Sequence, residues 1–571
     1  MKSEGIDQDI GALDIQQAWQ DHCLTSVRKF IKSAVVIDNE PFIVDKIKSG
    51  LLPFTLESPN DGMTEVVELD STSAGDYAVG SVELDISNRL DVRKVSDAFA
   101  EIGIACAFVL PEDEGIDEEA VVRRVLNSAI ISDIIVIDWF LYDSSSALTR
   151  RIIEEIAKSD VDENGRLRFI CVYTGEPQVD SVGVDVCEAL RRGGVYATEV
   201  SGGIYHAQSQ NCLAVVLNKQ IVSPSDLPEV LLGYFGKFAD GLLPSFALAA
   251  VGAIRKNIHH MVTRFGSDLD IAYVANRLIT NPPEDVSEMM RELLVSECDN
   301  ALGLESVADI YLDKDAVEKW LDLRRDRISP QDYSSGKKKV DDVLIYHLLR
   351  NGIDDKGTTD DKGSPLSFPL ESRNRVSIAL AGGVEHSLKA EKDFSRLVVF
   401  KREAFGESKL FSSENWLPSL TTGTLLLHQE GEVRRYFVCL TPACDTLRLD
   451  KQTPFVFLEA TIDDSRYSLV FMDENGDYKG LYFREKHPTL VTYCFTPDSG
   501  TERVKGSAHH LDGTKPYFTF EDVGASHRFI WLGEIRYTRA ASEMAKLAGN
   551  WMRIGVNDSE HLRLTEANKF K

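Results

Sequence analysis

At 571 residues the chain is too long for one hydrophobic core, and at about one domain per 150 residues it should hold three or four. Its 43% hydrophobic and 27% charged residues are ordinary globular proportions, which exclude a fibrous or wholly disordered chain. With 63 Lys and Arg against 91 Asp and Glu the net charge is −28, which repels nucleic acid and anionic membranes over most of the surface, so neither is expected as a partner.

Residues 1–7 lack the basic start of a signal peptide, and no apolar run approaches the roughly 18 residues that span a bilayer; the expected location is the cytoplasm. Nine cysteines, an odd number with no Cys-x-x-Cys pair, suit buried reduced thiols.

Residues 1–32 carry Ile15, Trp19, Cys23, Val27 and Ile31, each four apart, which is one stripe of an amphipathic helix. Core packing is the favoured role for it and dimerisation the alternative. From 33 to 240 strands and helices alternate, as a doubly wound α/β sheet requires. Ala34 to Ile37 is a strand buried on both faces that ends in Asp38, Asn39, Glu40 and Pro41. Ala105 to Leu110 is a second strand, and Ile134 to Ile137, four β-branched residues ending abruptly on Asp138, a third. Phe169 to Thr174 ends in a hydroxyl, and Leu213 to Lys219 ends in an amine. Helical faces precede or follow these strands at Leu90 to Ile102, Val121 to Leu126, Leu148 to Ile156 and Leu227 to Phe238. Two segments, about 41–88 and 176–210, exceed a minimal fold and are expected as insertions. Within the second, Val195 to Val200 competes with Leu213 to Lys219 for the fifth strand, and the latter is favoured because a helix follows it.

Residues 241–350 show long helical patterns without strand signals, and 351–394 have the composition of a linker at their start. From 395 to 571 the period changes to two, with short strands at close spacing and a hairpin signal at Asn475-Gly476. A mainly antiparallel β domain with a C-terminal helix follows from that pattern.

The carboxyl ends of strands in an open α/β sheet form its ligand crevice. The polar groups placed there resemble those of the receiver domain of two-component response regulators, a flavodoxin-like fold. The resemblance, over residues 33–240, implies that Asp38 and Asn39 match the metal-binding pair and Asp138 the phosphoacceptor. It matches Thr174 and Lys219 to the hydroxyl and amine that contact the phosphoryl group, with Mg2+ held by Asp38, Asn39, Asp138 and the carbonyl of Phe140. Phosphorylating a carboxylate sets a dianionic donor against an anion, so a divalent ion and an ammonium are needed to neutralise charge as it develops. Four positions depart from the family pattern. Asn39 replaces an acid, Tyr142 and Gln220 stand where Pro is usual, and Val216 occupies the place of a signalling aromatic.

The implied function is that of a response regulator whose receiver controls the C-terminal output region, with a histidine kinase or another protein encoded nearby as partner. Its only expected enzymic step is self-phosphorylation from a donor. Alternatives are a phosphorylation-independent interaction scaffold and a nuclease-like effector of a bacterial antiphage defence system. The N-terminal helix and the receiver are the candidate surfaces for oligomerisation. Two weaker patterns have structural explanations beside them. Arg255 and His260 repeat the Arg-x4-His spacing of HEPN-type ribonucleases, against helix-surface polar groups, and Cys439, Cys444 and His428 suggest zinc, against a buried thiol and a turn.

Overall fold

Runs of Val and Ile that give up both faces to packing lie side by side in one parallel sheet. The computed structural model describes residues 4–42, 89–111, 117–142, 145–162, 166–200, 206–209, 211–280, 284–333, 336, 338–354, 357–359, 364–405, 416–484, 487–509 and 517–551. They fall in two units, Met1–Arg324 and Arg325–Lys571. Among the described residues no helix is long and apolar enough to cross a membrane.

In the first unit helix α1 (Glu4–Phe30) leads into β1 (Ser33–Ile37), followed by α2 (Val92–Glu101), β2 (Ala105–Val109), α3 (Glu118–Ile131), β3 (Ile134–Ile137) and α4 (Ala147–Asp162). Next come β4 (Arg168–Thr174), α5 (Val179–Arg192), the short strands β5 (Thr198–Val200) and β6 (His206–Gln208), then β7 (Cys212–Asn218) and α6 (Leu227–Phe238). The sheet order is β2-β1-β3-β4-β7-β6-β5. Its first five strands are parallel and follow the 2-1-3-4-5 order of a flavodoxin-like fold. Every residue of β3, β4 and β7 is buried, because helices cover both faces of the sheet.

The segment 176–210 holds a regular crossover helix, α5, and only the antiparallel hairpin β5–β6 is additional. Thr198–Val200 is the outer edge of that hairpin, so the competing fifth strand loses to β7, whose longer apolar run pairs directly with β4. Of the insertion at 41–88, residues 43–88 lie outside the described residues; Pro41–Phe42 pairs in parallel with Leu90–Asp91.

Four of the five stripe residues of α1 are spent within the chain, while Ile15 is exposed. Trp19, Cys23, Val27 and Ile31 are buried, and α1 packs on α6 and on α7 (Leu242–Thr263). Gly252 lets α1 and α7 touch along their backbones: a Cβ there would meet the Lys29 carbonyl oxygen at 2.5 Å. In an open helix Gly252→Ala would stabilise by about 1 kcal/mol. Here the expected sign is opposite, a loss of about 1–3 kcal/mol from overpacking, checked by thermal unfolding.

Helices α8 (Asp270–Ile279), α9 (Glu284–Leu304), α10 (Val307–Tyr311) and α11 (Lys314–Leu323) complete the first unit. The helical stretch expected to run to 350 is interrupted by a short hairpin, Gln331–Tyr333 with Lys338–Val340, that buries Tyr333 and Val340, and resumes in the helix Asp342–Asn351. The described residues of 351–394, expected as a linker, carry regular structure. Gly357–Thr359 pairs with Pro365–Ser367, and helices Asn374–Ala381 and Val384–Val399 follow. Phe368, Ile378 and Ala379 bury apolar surface there, which a solvated linker would not do.

Beyond them a ten-stranded antiparallel sheet is followed by the helix Tyr537–Trp551. Alternation decides its two faces. Leu425 and Leu427 join the cluster covered by Val399, Ala540 and Leu547 of the helices. Leu426 points the other way, into an aromatic cluster with Phe437, Phe457, Phe529 and Trp531. Gly476 adopts φ 83° in the turn between Leu469–Met472 and Tyr478–Phe483, where the Asn-Gly pair predicts a hairpin.

Candidate functional site

Each buried strand of the parallel sheet ends where its apolar run ends, so the next polar side chain emerges at the carboxyl rim. Ile37 pairs with Ile137, which sets Asp38 and Asp138 side by side. Their backbones are tied into the sheet, Asp38 N–H donating to the Val109 carbonyl at 3.3 Å and Asp138 N–H to the Ile37 carbonyl at 2.8 Å. Lys219 follows β7 and its N–H donates to the Thr174 carbonyl at 2.8 Å. From there its ammonium bridges the two acids, at 2.9 Å from Asp38 Oδ2 and 2.7 Å from Asp138 Oδ1.

The remaining carboxylate oxygens are held by main-chain donors. Asp38 Oδ1 accepts from Glu40 N–H at 2.8 Å, and Asp138 Oδ2 from Phe140 N–H at 3.0 Å. Three buried charges, two negative and one positive, leave a residual charge of about −1. Its effect is visible on Asp138, whose acidity falls to a pKa of about 6, chiefly because burial disfavours the anion, with the nearby Asp38 carboxylate adding and Lys219 opposing. Burial also disfavours the Lys219 ammonium, but the combined pull of Asp138 and Asp38 outweighs it and raises the lysine.

Asp138 therefore holds its proton more tightly in the folded chain than at its ordinary value of 3.8. Between those values the folded state binds more protons than the unfolded, so the contribution of this site to stability falls as pH rises. The stability of Asp138→Asn relative to wild type should accordingly increase from about pH 4 to about pH 7, measured by urea unfolding. A difference independent of pH would mean that Asp138 ionises as an ordinary surface acid.

Thr174 is fully buried at the end of β4, and its hydroxyl accepts from Glu176 N–H at 3.1 Å. It lies on the same rim as the acids and is held by its own loop. Asn39 is half-buried beside Asp38. Asp38, Asp138, the Phe140 carbonyl and Asn39 are hard oxygen donors of the kind Mg2+ prefers. With Asn39 in place of an acid they offer two carboxylates, each already giving one oxygen to Lys219, so the donor set suits a hydrated divalent ion held weakly. Among the described residues no group of three or more His, Cys, Asp or Glu side chains is arranged to hold a metal.

Two supporting residues escape sequence reasoning. Thr149 of α4 donates its hydroxyl to the Asp138 carbonyl at 2.9 Å, fixing the loop that carries the acid. Tyr173, buried one residue before Thr174, lies 5.8 Å from the Lys219 ammonium across its ring and donates its hydroxyl to the Val222 carbonyl at 2.7 Å. Val216, at the usual position of the aromatic, is buried among aliphatic groups.

The weaker patterns resolve into structure. Arg255 donates to Asp133 at 3.0 Å and to the Phe30 carbonyl at 2.8 Å, while Asp133 also accepts from the N–H groups of Lys32 and Ser33. Arg255 thus braces α7 against the amino end of the sheet, and His260 is exposed. Cys439 is buried in the aromatic cluster of the β domain, where burial pushes its thiol up to about 12, and Cys444 is exposed in a turn. His428 Nδ1 lies 3.1 Å from the Arg528 carbonyl oxygen.

Comparison with curated proteins and with solved structures gives no match. Residues 30–224 match the family model of the response receiver domain, and with the strand order and the rim of acids, hydroxyl and amine already described, this part of the chain is a response receiver domain.

Proposed function

We propose that the chain is a response-regulator-like signalling protein in which Asp138 is the phosphoacceptor and the receiver controls the residues that follow it. The observation that carries this reading is the single ammonium of Lys219 bridging Asp38 and Asp138 at the carboxyl rim of a receiver sheet. In the reaction an Asp138 oxygen attacks the phosphorus of a phosphohistidine or acyl phosphate donor, the new P–O bond forms, and the donor group leaves with its electron pair. Asp38, Asn39 and Asp138 would hold Mg2+, which when bound would supply the positive charge that offsets the approach of two anions. Lys219 transfers its ion pair to a phosphoryl oxygen. Thr174 exchanges the Glu176 N–H for the phosphate, and that movement of the loop after β4 is the signal passed on. A histidine kinase is the natural donor.

Asn39 favours a second reading, a phosphorylation-independent scaffold, because it removes one full charge from the metal site. Incubation of the full chain with acetyl phosphate and Mg2+, followed by intact mass and peptide mapping, separates the two. A single added phosphoryl group on the peptide holding Asp138 supports the first. No added mass, and no binding of beryllofluoride either, leaves the scaffold.

A further inference from the structure

Helix α8 buries none of its residues. That is unusual for a ten-residue helix, since isolated helices shorter than about 12–15 residues are marginal in water and depend on packing an apolar face. Its ties to the chain are polar: Tyr273 and Arg277 both meet the Ser287 hydroxyl of α9, at 3.1 and 2.9 Å. On a different side Ile271, Val274 and Leu278 stand at 81%, 50% and 79% exposure. Their spacing, three then four, is the seam of a coiled coil.

We infer that α8 is the seam of a twofold homodimer, packed antiparallel against α8 of a second copy. Two features favour a second copy over another partner. With the twofold axis beside Val274, Ile271 lies within one residue's rise of Leu278 of the other copy and Val274 lies against Val274, so one stripe fills both sides. The residues flanking the seam on one side are Asp270 and Arg277, seven apart, and antiparallel pairing sets each beside its opposite charge in the second copy.

Sedimentation velocity of the full chain over a concentration series tests this. Wild type should dimerise, and Ile271→Lys with Leu278→Lys should raise the dissociation constant by at least ~100-fold, because a charge is set against apolar surface on both sides of the seam. Far-UV circular dichroism should be unchanged. Asp270→Arg alone should weaken the dimer about 3–10-fold, and adding Arg277→Asp should restore it, since the pair is only inverted. Should the lysine variant lose helix, Val274→Cys supplies the second readout: it should oxidise to a disulfide-linked dimer, above any background from the exposed Cys444 and Cys494 of wild type. A wild-type chain that stays monomeric at about 100 µM, a dimer indifferent to the lysines, or a Val274→Cys chain that does not cross-link would overturn the assignment.

Discussion

Asp138→Asn should abolish both phosphoryl transfer from acetyl phosphate and beryllofluoride binding while leaving the fold intact. The amide keeps the shape of the carboxyl and can still accept from Phe140 N–H, which Asp138 Oδ2 now does at 3.0 Å. It cannot act as the nucleophile, and it lowers the residual negative charge that would draw a cation. The reciprocal change, Asn39→Asp, should tighten Mg2+ at least ~10-fold, or about 1.4 kcal/mol, because a second full charge on the metal pair acts on a divalent ion in a half-buried site. Lys219→Ala should preserve metal binding or improve it, since the competing ammonium is gone, but should disconnect phosphorylation from any change elsewhere in the chain. Isothermal titration with Mg2+ and intact mass after acetyl phosphate read these effects. If wild type binds neither Mg2+ nor beryllofluoride where Asn39→Asp binds both, the site has lost its chemistry and the scaffold reading holds. Should Asn39→Asp also be inert, Asp38, Asp138, Thr174 and Lys219 do not act as one site.

How much of this was legible in the sequence depended on how local the cause was. Ile134–Ile137 is visible as a strand because both of its faces are buried, so four neighbours must all be apolar. The abrupt change at Asp138 then marks the rim without any tertiary information. Lys219 required a choice between two strands, and the deciding fact, seven residues of β7 in register with β4, is a long-range pairing that only the longer apolar run hinted at. The stretch 351–394 misled for a compositional reason. Its first fifteen residues are rich in Gly, Asp and Thr, and that polarity obscured the apolar spacing of the helices after them. Thr149, Tyr173 and the Arg255 brace were out of reach, because each acts through one hydrogen bond or ion pair to a residue distant in sequence. Arg168 was equally hidden: the apolar run marks a strand only from Phe169, and it is the structure that starts β4 one residue earlier and buries the arginine.

That residue carries the largest expected effect on stability. Arg168 is 2% exposed at the first position of β4, at the end of the sheet opposite the acids. Its guanidinium grips Asp160 of α4 with two bonds, at 2.8 and 2.5 Å, and donates to the carbonyls of Ala129 and Ser132 at the end of α3, at 2.7 and 3.3 Å. Helix α3 ends with carbonyls short of intrahelical donors; the arginine adds a donor to Ala129, which also accepts from Ser132 N–H, and one to Ser132, while joining α3, α4 and β4. Arg168→Ala removes every one of these donors and strands a buried carboxylate, which typically costs about 3–5 kcal/mol. Lysine in its place keeps the charge but has no fork for two carboxylate oxygens, so the loss should be intermediate. The double change Arg168→Met with Asp160→Leu should regain much of what alanine loses, because neither charge is then buried, yet the orphaned carbonyls should keep it below wild type. Urea unfolding followed by near-UV circular dichroism measures all three. A cost for Arg168→Ala below about 1 kcal/mol would mean that water replaces the guanidinium, and that the three elements are held by their apolar contacts alone.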